Sequence, residues 1–251
     1  MRPHADWIVP RWPAPARVQA LFTTRAGGVS VAPYDSLNLG LHVGDRLADV
    51  ARNREIVRAT LPAEPLWLQQ VHGTYVARPD EGFAGGEADA ALTRSPGTVC
   101  AVMVADCLPV LLCDRDASVV ACAHAGWRSL CAGVLERTLD EMDCPRDRVL
   151  AWMGPAIGPH AFEVGRDVRD AFLSARREDA ACFRDKAPGA GGEPKWWADL
   201  PELARRRLRR AGVEAMYGGE HCTFSDPQRF FSHRRDGRCG RHAALVWMDA
   251  R

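Results

Sequence analysis

Short apolar runs alternate along the chain with segments in which apolar residues recur at helical spacing. The runs are rich in β-branched residues and predict buried strands over 18–24, 65–71, 99–105, 108–113, 118–123, 149–153 and 243–248. The spacing predicts helices over 45–61, 126–142, 163–176 and 199–212. Residues 1–17 are proline-rich and predicted to be irregular, and 184–194 predicts a mobile loop. Strands and helices alternate irregularly, so we expect one α/β (α+β) domain with a mixed sheet covered by helices.

Three of the apolar runs end at residues suited to metal or thiol chemistry. The run over 65–71 is followed by His72, the run over 99–105 by Asp106 and Cys107, and the run over 118–123 by His124. Two imidazoles and one thiolate suit zinc, and three protein ligands leave the fourth tetrahedral position open, as in catalytic sites. The spacing matches no short zinc motif, so buried His and Cys with a purely structural role remain an equal interpretation of the pattern.

A second chemistry fits the same residues. In a Cys–His hydrolase, Cys107 is the nucleophile, His124 its base, and Asp106 or a backbone donor the group that orients the base. The two interpretations compete, because a thiolate bound to zinc is a poor nucleophile. Metal content therefore separates them.

Further polar residues stand in turns or beside the ends of the predicted strands. Guanidinium groups near glycines suit phosphate or carboxylate, although a structural ion pair is the more ordinary role for any one of them. These arginines are Arg25, Arg128, Arg234, Arg235 and Arg241. Asn38, His42 and Gln70 suit hydrogen bonds to a heterocycle or, equally, to a loop backbone. Trp127 suits stacking on a ring, and Glu163 suits an acid or base.

Composition narrows the class of protein. The chain has 251 residues, and its apolar fraction of 47% is typical of a globular protein. Its net charge of +1 produces no global electrostatic field that would attract nucleic acid or membrane. We expect a cytoplasmic protein with no membrane partner, because no signal peptide or run of about 20 apolar residues is present. Its nine cysteines, an odd number without a CxxC pair, then stay reduced. The P-loop, GxGxxG and zinc-deaminase motifs are absent.

Longer blocks of sequence carry a family resemblance across residues 18 to 248. The blocks are TTRAGGVS (23–30), YDSLNLGLHVGD (34–45), WLQQVHG (67–73), VADCLPVLL (104–112), AHAGWR (123–128), GPAIG (154–158), FEVG (162–165) and FFSHRRDG (230–237). Together they resemble the YfiH-like family. Its members are described as purine nucleoside phosphorylases and were formerly named polyphenol oxidases or laccase-domain proteins.

The resemblance implies a fold and a metal site. The fold is a single domain over residues 1–251, a mixed sheet sandwich covered by helices, like the cysteine-hydrolase (CNF/YfiH-like) fold shared with a bacterial deamidating toxin. The site is a zinc ion held by His72, Cys107 and His124, which are also the catalytic residues. On this basis we expect Arg25 to bind phosphate and Asn38 and His42 to contact the nucleoside.

The resemblance also implies an activity. It implies zinc-dependent phosphorolysis of adenosine, inosine, guanosine and methylthioadenosine, with nucleoside and phosphate as small-molecule partners and adenosine deamination as a second activity. The alternative is a Cys–His amidase that edits a peptidoglycan precursor. A polyphenol oxidoreductase or a zinc-bearing binding protein ranks lower, because eight histidines without an HxH pair suit a multicopper enzyme badly.

This chain departs from the family pattern at three positions. His233 stands where Tyr is usual, Cys239 near a usual Thr, and Ser129 where Gly is common. None is one of the implied zinc ligands, but His233 adds a titrating group that bears on pH dependence and substrate choice.

Overall fold

Most of the apolar runs are strands of two sheets that pack face to face. The structure, a computed structural model, describes residues 3–187 and 192–250. In these ranges the strands are β1 (Val18–Phe22), β2 (Pro65–Leu66), β3 (Val76–Ala77), β4 (Ala90–Thr93), β5 (Val99–Val104), β6 (Leu108–Asp114), β7 (Val120–Ala125), β8 (Val149–Met153), β9 (Glu163–Val164), β10 (Phe183–Lys186), β11 (Lys195–Ala198), β12 (Ala215–Gly218) and β13 (His242–Met248).

Helices connect and cover these strands. In the described ranges they are α1 (Leu47–Arg58), α2 (Trp127–Ala132), α3 (Val134–Met142), α4 (Arg166–Ala175), α5 (Leu200–Arg210) and α6 (His233–Asp236), with 3-10 turns at Leu41–Val43, Pro79–Glu81, Arg146–Arg148 and Arg177–Cys182. Helix α5 begins where the sequence predicts, because the Asp199 side chain accepts a hydrogen bond from the Glu202 amide. None of the described helices is both long and apolar enough to cross a membrane.

The sheets mix parallel and antiparallel pairs, as expected. The first has the order β1-β13-β5-β2, the second β12-β8-β6-β7-β4-β3, and a small third sheet β10-β11-β9. The pairs β2–β5, β3–β4 and β12–β8 are parallel, and the other pairs are antiparallel. The predicted mixture of α and β elements is thereby confirmed.

The continuous apolar runs arise because both faces of the central strands are buried. In β5, Val102 and Val104 lie between the two large sheets, whereas Ala101 and Met103 face a second cluster that includes Val57 of α1. The far face of the second sheet packs on α3 and α5 in a third cluster. A strand without a solvent face has no polar positions to alternate with, so its sequence is uniformly apolar.

Several of the predicted elements are shorter than their patterns suggest. The helix expected over 163–176 spans only Arg166–Ala175, because Glu163–Val164 pairs with β11 as strand β9. The helix expected over 126–142 is split into α2 and α3, because Gly133 between them has a φ of +99°. The strand expected over 65–71 pairs with β5 only at Pro65–Leu66, and Gln69 forms an isolated parallel bridge with Glu87. Further along, the Gln70 side chain takes over the pairing: its amide donates to the Met103 carbonyl and accepts from the Met103 amide, both at 2.8 Å.

Of the two segments without predicted helix or strand, the N-terminal one is irregular where it is described, whereas the second begins inside a strand. Residues 1 and 2 lie outside the described ranges, and the rest of 1–17 has no strand beyond a single bridge from Ile8 to Phe22. The loop predicted over 184–194 begins in β10, so its first residues pair with β11. Residues 188–191 of that loop lie outside the described ranges.

Leu111 tests the core between the two large sheets. It is fully buried in the central strand β6, in one cluster with Trp152 and Phe230. We expect Leu111→Ala to lower the free energy of unfolding by about 3–5 kcal/mol, because a cavity is left in a close-packed interior. Urea denaturation followed by circular dichroism measures this. Val9→Ala is the control, since Val9 is 63% exposed; a loss for Leu111→Ala no larger than for Val9→Ala would contradict this packing.

Candidate metal centre

The structure brings together the three residues that follow apolar runs in the sequence. His72 lies in the turn after β2, Cys107 in the connection from β5 to β6, and His124 in β7. One potential ligand atom from each lies within 4.8 Å of the others. His124 is inside its strand, one residue before the end, and not beyond it as the pattern suggested. Two nitrogens and one sulfur at this separation fit a single borderline-soft cation such as zinc.

Cys107 is placed by a sharp change of sheet. Strand β5 belongs to the first sheet and β6 to the second, and only three residues connect them. Asp106 turns the chain with a φ of +86°. Its carboxylate accepts hydrogen bonds from the Thr223 hydroxyl and from the Arg234 amide, both at 2.6 Å. Asp106 therefore anchors the turn that carries Cys107, and it does not contact His124 as the hydrolase interpretation expected.

Asp89 holds both histidines, and sequence reasoning missed it. This fully buried carboxylate accepts from Nδ1 of His124 at 2.8 Å and from the amides of His72 at 3.0 Å and Gly73 at 2.6 Å. The bond fixes the His124 proton on Nδ1 and leaves Nε2 as the ring atom for a metal. A charged residue within the apolar stretch ADAALT is the sequence signal that could have revealed it.

The charges of the site shift its pKa values in opposite directions. Burial would lower the pKa of His124, but the Cys107 thiolate and the Asp89 carboxylate outweigh it and raise that pKa to about 9. Burial, and then the charge of His124, lower the pKa of His72. Burial would raise the pKa of Asp89, yet the hydrogen bonds from His124 and Gly73 keep it below its usual range. A metal needs neutral imidazoles and a thiolate, so its binding displaces protons here.

Gly126 allows the ligands to approach each other. A Cβ atom at this position would lie 2.7 Å from Nδ1 of His72 and 3.0 Å from Sγ of Cys107. Neither side chain can give way without leaving the cluster. The glycine in AHAGWR is thus required by packing against two ligands at once.

The three ligands line a cavity of about 630 Å³, a size typical of small-molecule sites. Its wall is formed by His42, Leu68, Gln69, Gln70, Val71, His72, Met103, Val104, Ala105, Cys107, His124, His233 and Arg241. His233 and Arg241 come from α6 and from the turn before β13, far from the metal ligands in sequence. A ligand-sized space next to a three-ligand metal set is the arrangement of a catalytic site.

Of the other predicted contacts, His42 and Gln70 line this cavity and Arg25 and Asn38 do not. The Arg25 guanidinium is occupied, because it donates to the carbonyl and carboxylate of Asp35 and to the Pro227 carbonyl. Asn38 is buried and accepts from the amides of Gly40 and Arg241. Neither residue is placed to contact a ligand in the cavity.

Trp127 and Glu163 also stand apart from the cavity wall. Arg128 stacks on the Trp127 ring, with its guanidinium carbon 4.3 Å from the ring centroid. Glu163 forms an ion pair with Lys186. These contacts assign both side chains to local structure.

Known proteins are similar to this chain over almost its whole length. The family described as multi-copper polyphenol oxidoreductase laccase matches residues 19–249. A purine nucleoside phosphorylase of Pseudomonas aeruginosa is 53% identical over 243 residues, 96% of this chain and 98% of the relative. The purine nucleoside phosphorylase YfiH of Escherichia coli is 50% identical over 244 residues, with the same coverage. The crystal structure of a Neisseria meningitidis protein has a TM-score of 0.91 at 49% identity, covering 98% of this chain and 100% of that one.

Asp89→Asn tests the role of the shared carboxylate. The substitution keeps the size of the side chain but replaces one of the two acceptor oxygens with an NH2 group, which donates and cannot accept. The bonds from the His124 ring and from the three backbone amides therefore cannot all be kept. We expect the affinity for a divalent metal to fall about 10–100-fold, measured by competition with a chromophoric chelator. Asp116→Asn is the control, because Asp116 pairs with Arg148 at the surface. Equal affinities in the two variants would contradict the role of Asp89.

Proposed function

This chain belongs to the multi-copper polyphenol oxidoreductase laccase family, which confirms the YfiH-like resemblance, and from that premise we propose that it is a zinc-dependent purine nucleoside phosphorylase. Relatives of that name match almost their whole length to it. The observation that carries the proposal is the group His72, Cys107 and His124 on the wall of a ligand-sized cavity.

The donor set supports zinc as the resident ion. Two imidazoles and a thiolate are borderline-soft ligands, and Asp89 supplies the outer carboxylate that metal-bound histidines usually have. When bound, zinc would supply a Lewis acid with an open position, able to polarise a substrate oxygen or to acidify a water molecule.

We propose a nucleoside and inorganic phosphate as the two substrates. A phosphate oxygen bonds to C1′ of the ribose while the C1′–N9 bond breaks, and the purine leaves with that electron pair and gains a proton. The chain contributes a cavity that orients both reactants and limits access of competing water. Adenosine, inosine, guanosine and methylthioadenosine are the proposed nucleosides, with adenosine deamination by water as a second reaction.

A second candidate is supported by the order of contacts at the site. Asp89 bonds to Nδ1 of His124, and the Cys107 thiolate raises the pKa of the same ring. A carboxylate, an imidazole and a thiol in this order form the arrangement of a cysteine hydrolase. It would cleave an amide of a peptidoglycan precursor without metal. Asp89 replaces Asp106 in the orienting role.

Two lower-ranked functions have less support. In the part of the chain that the structure describes, one group of three potential metal ligands is found, whereas a multicopper oxidase needs ligands for several ions. A zinc-bearing binding protein would need a fourth protein ligand to close the site. The group of His72, Cys107 and His124 provides three protein ligands.

We infer that the protein is a cytoplasmic enzyme whose substrates are small molecules. All nine cysteines are free thiols, which suits a reducing compartment. The net charge of +1 gives no general attraction for nucleic acid or anionic membrane.

Metal content and one assay test the leading proposal. We expect about one zinc per chain after purification without added metal, and release of hypoxanthine from inosine that depends on phosphate. Cys107→Ala removes the thiolate ligand, so zinc occupancy should fall to near zero and activity by more than about 100-fold. Cys144→Ala is the matched control, because this half-buried cysteine lies outside the cavity.

The same samples separate the two candidates. Full zinc occupancy in Cys107→Ala would contradict the ligand assignment. The cysteine hydrolase would be favoured if the wild-type protein lacks zinc and releases no hypoxanthine. In that case stoichiometric alkylation of Cys107 should abolish cleavage of the amide.

A further inference from the structure

We propose that Arg241, His42 and His233 form a binding site for a phosphate-type oxyanion in the cavity that holds the metal ligands. The three residues come from the turn before β13, the 3-10 turn Leu41–Val43 and α6, and all three line the cavity. The proposal deepens the proposed function, on which it rests for the need to bind phosphate. It transfers to Arg241 the role that the sequence suggested for Arg25.

Arg241 is an arginine with unused donors. Its Nη1 atom donates to the carbonyls of Cys239 and Gly240, both at 3.0 Å, while Nε and Nη2 form no hydrogen bond among the described residues. None of the ion pairs among the described residues involves its guanidinium. Arg25 differs, because Nε and both Nη atoms donate to Asp35 and Pro227. A partly desolvated guanidinium with two open donors favours a bidentate anion.

The two neighbouring imidazoles add hydrogen-bonding groups to the charge of Arg241. Burial lowers the pKa of His42, and the charges of Arg241 and Arg54 lower it further. His42 is then neutral at pH 7 and offers one N–H donor. His233 donates through Nδ1 to the Gly237 carbonyl, which leaves Nε2 to accept from a protonated phosphate oxygen.

The described wall of the cavity carries no carboxylate that would repel an anion. None of the lining residues is Asp or Glu. The two nearby carboxylates are already engaged, Asp89 by His124 and three backbone amides, Asp106 by Thr223 and Arg234. The negative group on the described wall is the Cys107 thiolate, whose charge a bound metal would offset, so an oxyanion in the holoenzyme meets a cation and hydrogen-bonding rings.

Asn38 acts as a positioning residue for this site. Its Oδ1 atom accepts from the amides of Gly40 and Arg241, both at 2.9 Å, and its Nδ2 atom donates to Asp45. A Cβ atom at Gly40 would lie 2.8 Å from Cγ of Arg241, so the arginine stem packs on the loop that leads to His42. One buried amide thus joins the two segments that carry Arg241 and His42.

Two sources could supply the oxyanion: free inorganic phosphate, or the phosphate group of a nucleoside monophosphate. Isothermal titration calorimetry of the purified holoenzyme with each compound separately distinguishes them. We expect Arg241→Gln to weaken binding of the bound species about 10–100-fold, the range for loss of a charged bidentate contact. Arg241→Lys keeps the charge and should retain part of the affinity. Arg209→Gln is the control for net charge, because Arg209 is exposed on α5.

The outcomes separate this proposal from the proposed function. Arg241→Gln that is folded by circular dichroism but keeps wild-type affinity for phosphate and wild-type KM for phosphate would overturn it, even if phosphorolysis is present. Wild-type protein that binds neither compound would also overturn it. Phosphate binding that depends on Arg241, in a protein without phosphorolysis of inosine, would support the oxyanion site and contradict the phosphorylase.

Discussion

The metal centre depends on one buried charge. A carboxylate removed from water costs several kcal/mol unless hydrogen bonds replace its hydration. Asp89 meets this condition with the His124 ring and the amides of Val71, His72 and Gly73. The same bonds that keep the carboxylate ionised also orient the His124 ring and fix the backbone at His72, so burial of the charge and formation of the site occur together. An apolar residue at position 89 would suit the core and leave the histidines without orientation.

The remaining ligand depends on the way the two large sheets are joined. Strand β5 ends in one sheet and β6 starts in the other, so the residues between them cross the edge of the sandwich. Cys107 lies at that crossing, next to an aspartate whose carboxylate ties the turn to the loop of Thr223 and to the first turn of α6 at Arg234. Because both sheets are buried on both faces, the edge is the place where a polar group meets both the core and a cavity.

The cavity divides polar roles between segments far apart in sequence. Arginines close to glycines look alike in the sequence, yet Arg25 is saturated by loop oxygens and Arg241 retains open donors. Asn38 and Gln70, which by residue type suit ligand contacts, bond to backbone atoms of Arg241 and Met103. Buried polar side chains must find partners, and backbone groups near loops are the most available ones.

Periodicity alone predicted most of the strands and helices, because the apolar positions within an element show which of its faces are buried. Strand β5, helix α5 and the trio of His72, Cys107 and His124 follow from local pattern and residue type. Local pattern does not record which distant atoms meet. The pairing of Gln70 with Met103 and the bonds that join Asp89 to the two histidines were decided by tertiary structure, because each needs a partner brought close only when the sheets stack. Tertiary structure also left Arg241 with open donors while the distant Pro227 carbonyl reaches Arg25.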